Sequence, residues 1–199
     1  MARLPVAQRR AQLVTAAVAV ARAQGLEAAT TRAIAAEAGV ALAVVHYCFE
    51  TKEELLREVY ESLLADLHER ALRLGTARSL SVLDELVEGV MRSLLVADAD
   101  PPSLVLLHEL GQHALRRPAL ADVVAERRAL AHRAFTSFAA RLAENRGLEW
   151  SDPVDVVGDG LLVLHDGVTE AWLVERDLQR ARARVRRGAQ DLLRRAAAR

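Results

Sequence analysis

Apolar residues recur at steps of three and four through nearly the whole of this chain, and no stretch alternates with the period of two that a half-buried strand needs. That spacing confines the chain to an all-α fold built by packing amphipathic helices. Proline and glycine supply the punctuation. Pro101, Pro118 and Pro153 each precede a periodic run, where a helix start tolerates the missing N–H. Gly25, Gly39, Gly75 and Gly147 stand where runs stop, as glycines past a helix C-terminus do. The markers predict about nine helices, at 9–24, 31–38, 42–48, 51–74, 79–97, 102–115, 118–146, 152–175 and 177–197. In the fourth, Leu56, Val59, Leu63 and Leu67 line one face, and Thr51 followed by Glu53 and Glu54 reads as an N-cap with acids in the first turn. Short connections set residues 1–50 apart as a small module leading into a longer bundle over 51–199.

The 199 residues carry equal numbers of acidic and basic groups, which taken alone argues against a polyanionic partner. The distribution argues the other way. Five arginines against Glu27 leave residues 1–32 at net +4, and nine arginines against Asp177 and Asp191 leave residues 176–199 at net +7. The segment between is therefore at net −11. A phosphate backbone responds to local potential, so polarised ends matter more than the total. Cys48 is the single cysteine, which excludes an intrachain disulfide and fits a reducing compartment. The longest apolar run, Ala16 to Ala21, falls far short of the ~20 residues that span a bilayer, and the start has no apolar leader. The expectation is a soluble cytoplasmic protein with no membrane partner.

Within TTRAIAAEAGVALAVVHYCF, which begins at the capping Thr30, the residues Ile34, Ala38, Val40, Val45 and Cys48 are the apolar positions that would lock two short helices together. Ala35 is small where the helices would cross, and Gly39 sits in the turn, where a left-handed backbone is expected. A small residue, a turn glycine four later and an apolar anchor six after that is the helix-turn-helix signature. The run through Arg10, Leu13, Ala16–Ala17, Gly25, Thr30, Ile34–Ala35, Ala38–Gly39–Val40, Phe49, Lys52 and Leu55 resembles the N-terminal pattern of the tetracycline-repressor (TetR) family. The most specific part is AGV followed nine residues later by Phe49 and then TKEEL.

The resemblance implies a repressor: an N-terminal three-helix DNA-binding domain, a C-terminal ligand-binding and dimerisation bundle, a palindromic operator, and a small-molecule effector that releases it. It makes 42–48 the recognition helix, with Ala41, Leu42, Ala43, Val44, His46 and Tyr47 toward the bases, and Thr30, Thr31, Arg32 and Lys52 toward phosphates. Arg3, Arg9 and Arg10 are a solvated terminus or an arm on phosphate or minor groove. His46 stands where the family usually has a phosphate-contacting tyrosine, and Tyr47, one position later, either does that work or reads a base edge. Few hydrogen-bonding groups are left to the recognition helix, so direct readout would lean on thymine methyls or on DNA shape.

In the C-terminal region, Gly158, Gly160 and Gly167 would each cost an isolated helix ~1 kcal/mol, which argues for close helix contact. Leu178, Ala181, Val185, Ala189 and Leu192 form a stripe on the last helix. The resemblance implies that these two helices form a four-helix homodimer interface. It also implies an effector pocket between helices four and eight, for which Met91, His108, Gln112, Phe135, Phe138 and Trp172 are candidates, each also explicable as plain core. An apolar or amphipathic effector follows from those side chains. An enzyme finds no support: no histidine lies three residues after a glutamate as a di-iron bundle needs, and no phosphate loop, cofactor motif or metal-ligand spacing is present. A helical protein-interaction adaptor that has lost DNA binding is the other reading of an apolar recognition helix.

Overall fold

The computed structural model describes residues 4–74, 81–194 and 196–198; Arg3 and Gly75, singled out above, lie outside the described residues. The described helices are α1 (Val6–Gln24), α2 (Thr31–Glu37), α3 (Leu42–Cys48), α4 (Lys52–Arg73), α5 (Val82–Ala99), α6 (Pro101–Ala114), α7 (Pro118–Arg146), α8 (Val154–Glu175) and α9 (Leu178–Leu193). A 3₁₀ turn, Leu26–Ala28, follows α1. Their ends obey the expected chemistry. Pro101 and Pro118 occupy the first helical positions of α6 and α7, and Asp177 caps α9 by accepting from the backbone N–H of Gln179 and Arg180 at 2.9 and 3.0 Å. Gly25, Gly39 and Gly147 all have positive φ.

The all-α reading stands with one addition, which corrects the absence of strands. Strands β1 (Leu148–Trp150) and β2 (Ala196–Ala198) form an antiparallel ribbon in the register Leu148↔Ala198, Glu149↔Ala197, Trp150↔Ala196.

The chain divides into two compact units. The first takes in the chain up to Leu67 together with Asp100–Val124, so it contains α1–α3, the first part of α4, α6 and the start of α7. Its core is a continuous cluster centred on Leu13, Ile34, Val45, Leu55, Leu56, Leu106 and Leu110. The second unit, His68–Ala99 with Ala125–Arg199, holds α5, the rest of α7, α8 and α9 around Leu86, Met91, Leu142, Leu161, Trp172 and Val185. Both cores are almost wholly aliphatic, as a chain with 4% aromatics must build them. Each fully buried leucine contributes roughly 1.5–3 kcal/mol.

Candidate nucleic-acid interface

The turn between α2 and α3 is a Schellman motif. Val40 N–H donates to Ala35 O at 2.9 Å and Gly39 N–H to Ala36 O at 3.1 Å, with Gly39 at φ +65°. From α1, Gln12 Nε2 donates to Ala38 O at 2.8 Å and satisfies a further carbonyl of that helix end. Thr30 caps the other end, its Oγ1 accepting from Ala33 N–H at 3.1 Å. Ile34, Ala35, Val45 and Cys48 then bury their side chains in the first unit's core, with Ala38 and Val40 packed partly against it. The two helices are thus fixed by one shared apolar seam.

What remains outside that seam is the opposite face of α3. Tyr47 is 66% exposed while Val45, two residues earlier, is 1% exposed. Ala41, Ala43 and His46 are exposed, and Leu42 and Val44 are half-buried. Arg32 and Thr30 are exposed on and before α2, and Thr31 is half-buried. Lys52 is half-buried at the first position of α4, one residue after Thr51, whose hydroxyl accepts from Glu54 N–H at 3.1 Å. The described candidates of this group therefore all belong to the first unit, on three consecutive helix starts and the outer face of α3. On this face Ala41, Leu42, Ala43 and Val44 offer methyl groups, and His46 and Tyr47 offer the polar side-chain atoms.

Arg10 has a different role from the two weighed for it. Its guanidinium donates to Cys48 O at the end of α3, pairs with Glu54 at 2.6 Å and Glu58 at 2.5 Å on α4, and lies over the Phe49 ring at 4.2 Å from the centroid. One fork on α1 thereby holds the last carbonyl of α3 and the first turns of α4. The Glu54 carboxyl is pulled below its usual value, chiefly by this hydrogen bond from Arg10 and then by one from Glu50 N–H. The guanidinium is thus directed at acceptors within the chain. Sequence reasoning missed this clamp because Glu54 and Glu58 lie 44 and 48 residues away.

In the second unit, the stripe on α9 does not face outward. Ala181, Val185 and Ala189 are buried within the single chain, where α9 packs on α5 and α8, and Leu178 and Leu192 are half-buried on the same side. Nor are Gly158 and Gly160 turned outward. A Cβ on Gly158 would sit 2.7 Å from the Thr136 backbone of α7, and one on Gly160 would touch Leu192 at 3.5 Å. Helix contact is what these two glycines serve, but inside the protomer. Gly167 alone is open, with nothing within 4 Å. The exposed apolar residues of α8 are instead Val154, Val156, Val163 and Val174.

The six ligand candidates are drawn from both units. His108 and Gln112 belong to the first unit, and Gln112 is exposed. Met91, Phe135, Phe138 and Trp172 belong to the second. Phe138 fills the space beside Gly89, where a Cβ would lie 2.3 Å from its ring, and Phe135 lies against the His165 ring at 5.5 Å. Among the described residues no cluster of His, Cys, Asp or Glu could hold a metal, and no helix is long and apolar enough to cross a membrane.

Residues 13–59 match the family model for bacterial regulatory proteins of the tetR family. A nicotine-responsive transcriptional repressor, HdnoR of Paenarthrobacter nicotinovorans, is 45% identical over 65 residues, which make up 33% of this chain and 34% of the repressor. The likeness in sequence thus spans about a third of that relative's length. The fold continues further. A TetR transcription regulator from Haloarcula marismortui superposes with a TM-score of 0.77 at 21% identity, over 94% of this chain and 98% of its own. The multidrug binding protein EbrR complexed with imidazole superposes with a TM-score of 0.65 at 26% identity, over 91% of this chain and 89% of its own. EbrR has also been solved with ethidium, with a TM-score of 0.68 at 23% identity, over 90% of this chain and 98% of its own.

Proposed function

We propose that this chain, a TetR-family transcriptional regulator, is a repressor that grips a palindromic operator as a homodimer and lets go when a small organic molecule binds its second unit. One observation carries the DNA-binding half: Tyr47 and His46 are exposed on a helix whose opposite face, Val45 and Cys48, is locked in the core. That arrangement presents a rigid helix to a groove at no cost to the fold. Leu42, His46 and Tyr47 meet base edges, the methyl groups of Ala41, Ala43 and Val44 lie along thymine methyls, and Thr30, Thr31, Arg32 and Lys52 take phosphates. The Thr30 hydroxyl accepts within its own helix start, so its proton is free to donate to a phosphate oxygen.

The dimer forms through the outward side of α8, where Val156, Val163 and Val174 surround the open Gly167. Val174 is 85% exposed, an apolar area a soluble chain covers with a second copy. A two-fold axis there sets two reading heads one helical turn apart, roughly 34–36 Å, or a simple multiple. The kinship with a nicotine-responsive repressor and the likeness to a protein solved with ethidium support a small organic effector. Release follows from population shift: an effector that prefers one arrangement lowers DNA affinity by its coupling factor. Arg10 is suited to pass the shift on, because α4 is one continuous helix whose first turns it ties to the end of α3.

The test is unbiased selection of bound DNA followed by anisotropy titration over a salt series. The expected result is a palindromic site whose affinity falls steeply with salt, bound by a species of twice the chain mass in light scattering. Protein that ignores every duplex at low ionic strength would instead support the adaptor reading.

A further inference from the structure

Buried polar groups in the second unit are matched with partners, and the exceptions fall in a pattern. Trp150 Nε1 donates to Ala139 O at 3.1 Å. Ser93 Oγ lies 2.6 Å from His165 Nε2, His165 Nδ1 lies 3.2 Å from Asp166 Oδ1, and Arg128 closes the relay on Asp166. Burial pushes the Asp166 carboxyl up, yet the hydrogen bond and charge of His165, with the Arg128 guanidinium, outweigh it and hold the group below its usual value. An ionised Asp166 accepts a hydrogen bond from the Nδ1–H, which leaves Nε2 to accept from the Ser93 hydroxyl. Both nitrogens of His165 are thereby satisfied.

Among the described residues, three buried side-chain atoms have no such partner: Thr136 Oγ1, Thr169 Oγ1 and Trp172 Nε1. Thr136 is explained by packing, since its hydroxyl lies where a Cβ on Gly158 would come within 2.3 Å. Thr169 and Trp172 stand three residues apart on α8, and His165 stands four before Thr169, so the three side chains share one inward helix face. Trp172 is 1% and Thr169 6% exposed, and each unpaired buried group costs about 1–3 kcal/mol. Valine would fill the volume of Thr169 without that cost.

We propose that Thr169 and Trp172 form an effector subsite that holds a largely apolar molecule through a hydrogen-bond acceptor such as a carbonyl oxygen. The chemistry selects the acceptor. An indole N–H only donates, so a group that satisfies it must accept, and a threonine hydroxyl on the same helix face is able to donate to that group as well. The Arg176 guanidinium over the Trp172 ring, 4.6 Å from its centroid, disfavours a cation at this end of the ligand. Phe135 against the His165 ring continues the face in aromatic carbon, which suits the apolar body. This rests on the reading of the second unit as effector-responsive and names the kind of effector it takes.

The test uses the full-length wild-type chain, whose two tryptophans give two indole N–H resonances, with Trp150, already bonded, as internal reference. The probes are indan-1-one and indane, which differ in one carbonyl oxygen. Indan-1-one should move the Trp172 resonance downfield saturably and leave that of Trp150 in place, while indane moves neither. Thr169→Val should weaken indan-1-one about tenfold and raise the melting temperature of the free protein, because an unsatisfied hydroxyl has gone. Equal responses to both probes, no response to either, or a Thr169→Val protein that melts earlier would each overturn the proposal. DNA binding of the probe-free protein separates the two readings: binding by a protein whose Trp172 stays silent to the probes defeats the subsite alone, and no binding by a protein whose Trp172 responds defeats the regulator alone.

Discussion

The guanidinium Nε of Arg10 lies 2.9 Å from Oε1 of Glu58, joining α1 to α4 across 48 residues of sequence. Around that bond the same side chain holds Cys48 O, Glu54 and the Phe49 ring. Arg10→Ala should cost about 1–3 kcal/mol of stability, because several charge-assisted hydrogen bonds go together. DNA affinity should fall beyond what the lost charge explains, since the end of α3 is then free. Arg10→Lys, which keeps the charge but not the fork, should recover part of the stability and little of the affinity. Chemical denaturation and anisotropy titration measure the two effects.

The clamp also carries a pH signature. Glu54 has its folded value depressed below the ordinary glutamate value of about 4.5, so its contribution is fully present above that pH and is lost as pH falls through the folded value. The acid limb of a stability–pH curve should therefore shift in Glu54→Gln relative to wild type below about pH 4.5 and coincide in shape above it. An unchanged acid limb would show that Glu54 is not linked to folding.

Neighbouring residues of α3 should separate binding from stability. Tyr47→Ala removes an exposed side chain and should change stability by no more than about 0.5 kcal/mol while weakening operator binding about tenfold. Val45→Ala opens the core and should cost about 1–3 kcal/mol. Selected operators should have thymines at the positions facing Ala41–Val44; half-sites read only through guanine would contradict the methyl-rich face.

Two glycines on α8 should respond in opposite ways. Gly158→Ala would force a Cβ to 2.7 Å from the Thr136 backbone and should destabilise by about 1–3 kcal/mol. Gly167→Ala meets nothing within 4 Å and should gain up to about 1 kcal/mol of helix propensity in the isolated chain. If α8 is the dimer seam, that gain should come with an altered dimer dissociation constant, which sedimentation would detect.

Arg176 ends α8 at φ 54° and is the non-glycine residue of positive φ among those described. Arg176→Ala keeps that left-handed backbone and loses the stack on Trp172, so it should cost about 0.5–1 kcal/mol. Arg176→Gly loses the same stack but relieves the backbone, so it should be more stable than Arg176→Ala by up to about 1 kcal/mol. Thermal melts of the pair give the difference directly.

Much of this architecture could be read from the chain because its signals are local. Pro101 and Pro118 mark helix starts by chemistry confined to one residue, and Gly39 adopts the left-handed turn that its position between Ala38 and Val40 demands. The ribbon of β1 and β2 escaped, since three residues reading Leu-Glu-Trp and three alanines carry no alternation and their pairing lies in a distant register. The stripe on α9 was visible as a buried face, but periodicity does not name what buries it; α5 and α8 do so within the chain. Arg10 was indistinguishable from a phosphate-seeking arginine until the carboxylates opposite it were in place. Thr169 gave no signal at all, because an orphaned hydroxyl is a property of packing.

The seven residues of α3 make only two turns, too few to persist as a helix in water. Its shape is borrowed from the seam behind it and from the arginine that secures its last carbonyl. An isolated peptide of this segment would lose the reading surface altogether. Within the intact chain the outward side chains can be exchanged without touching what keeps the helix wound, so under the proposed reading new target sites are open to evolution at almost no cost in folding.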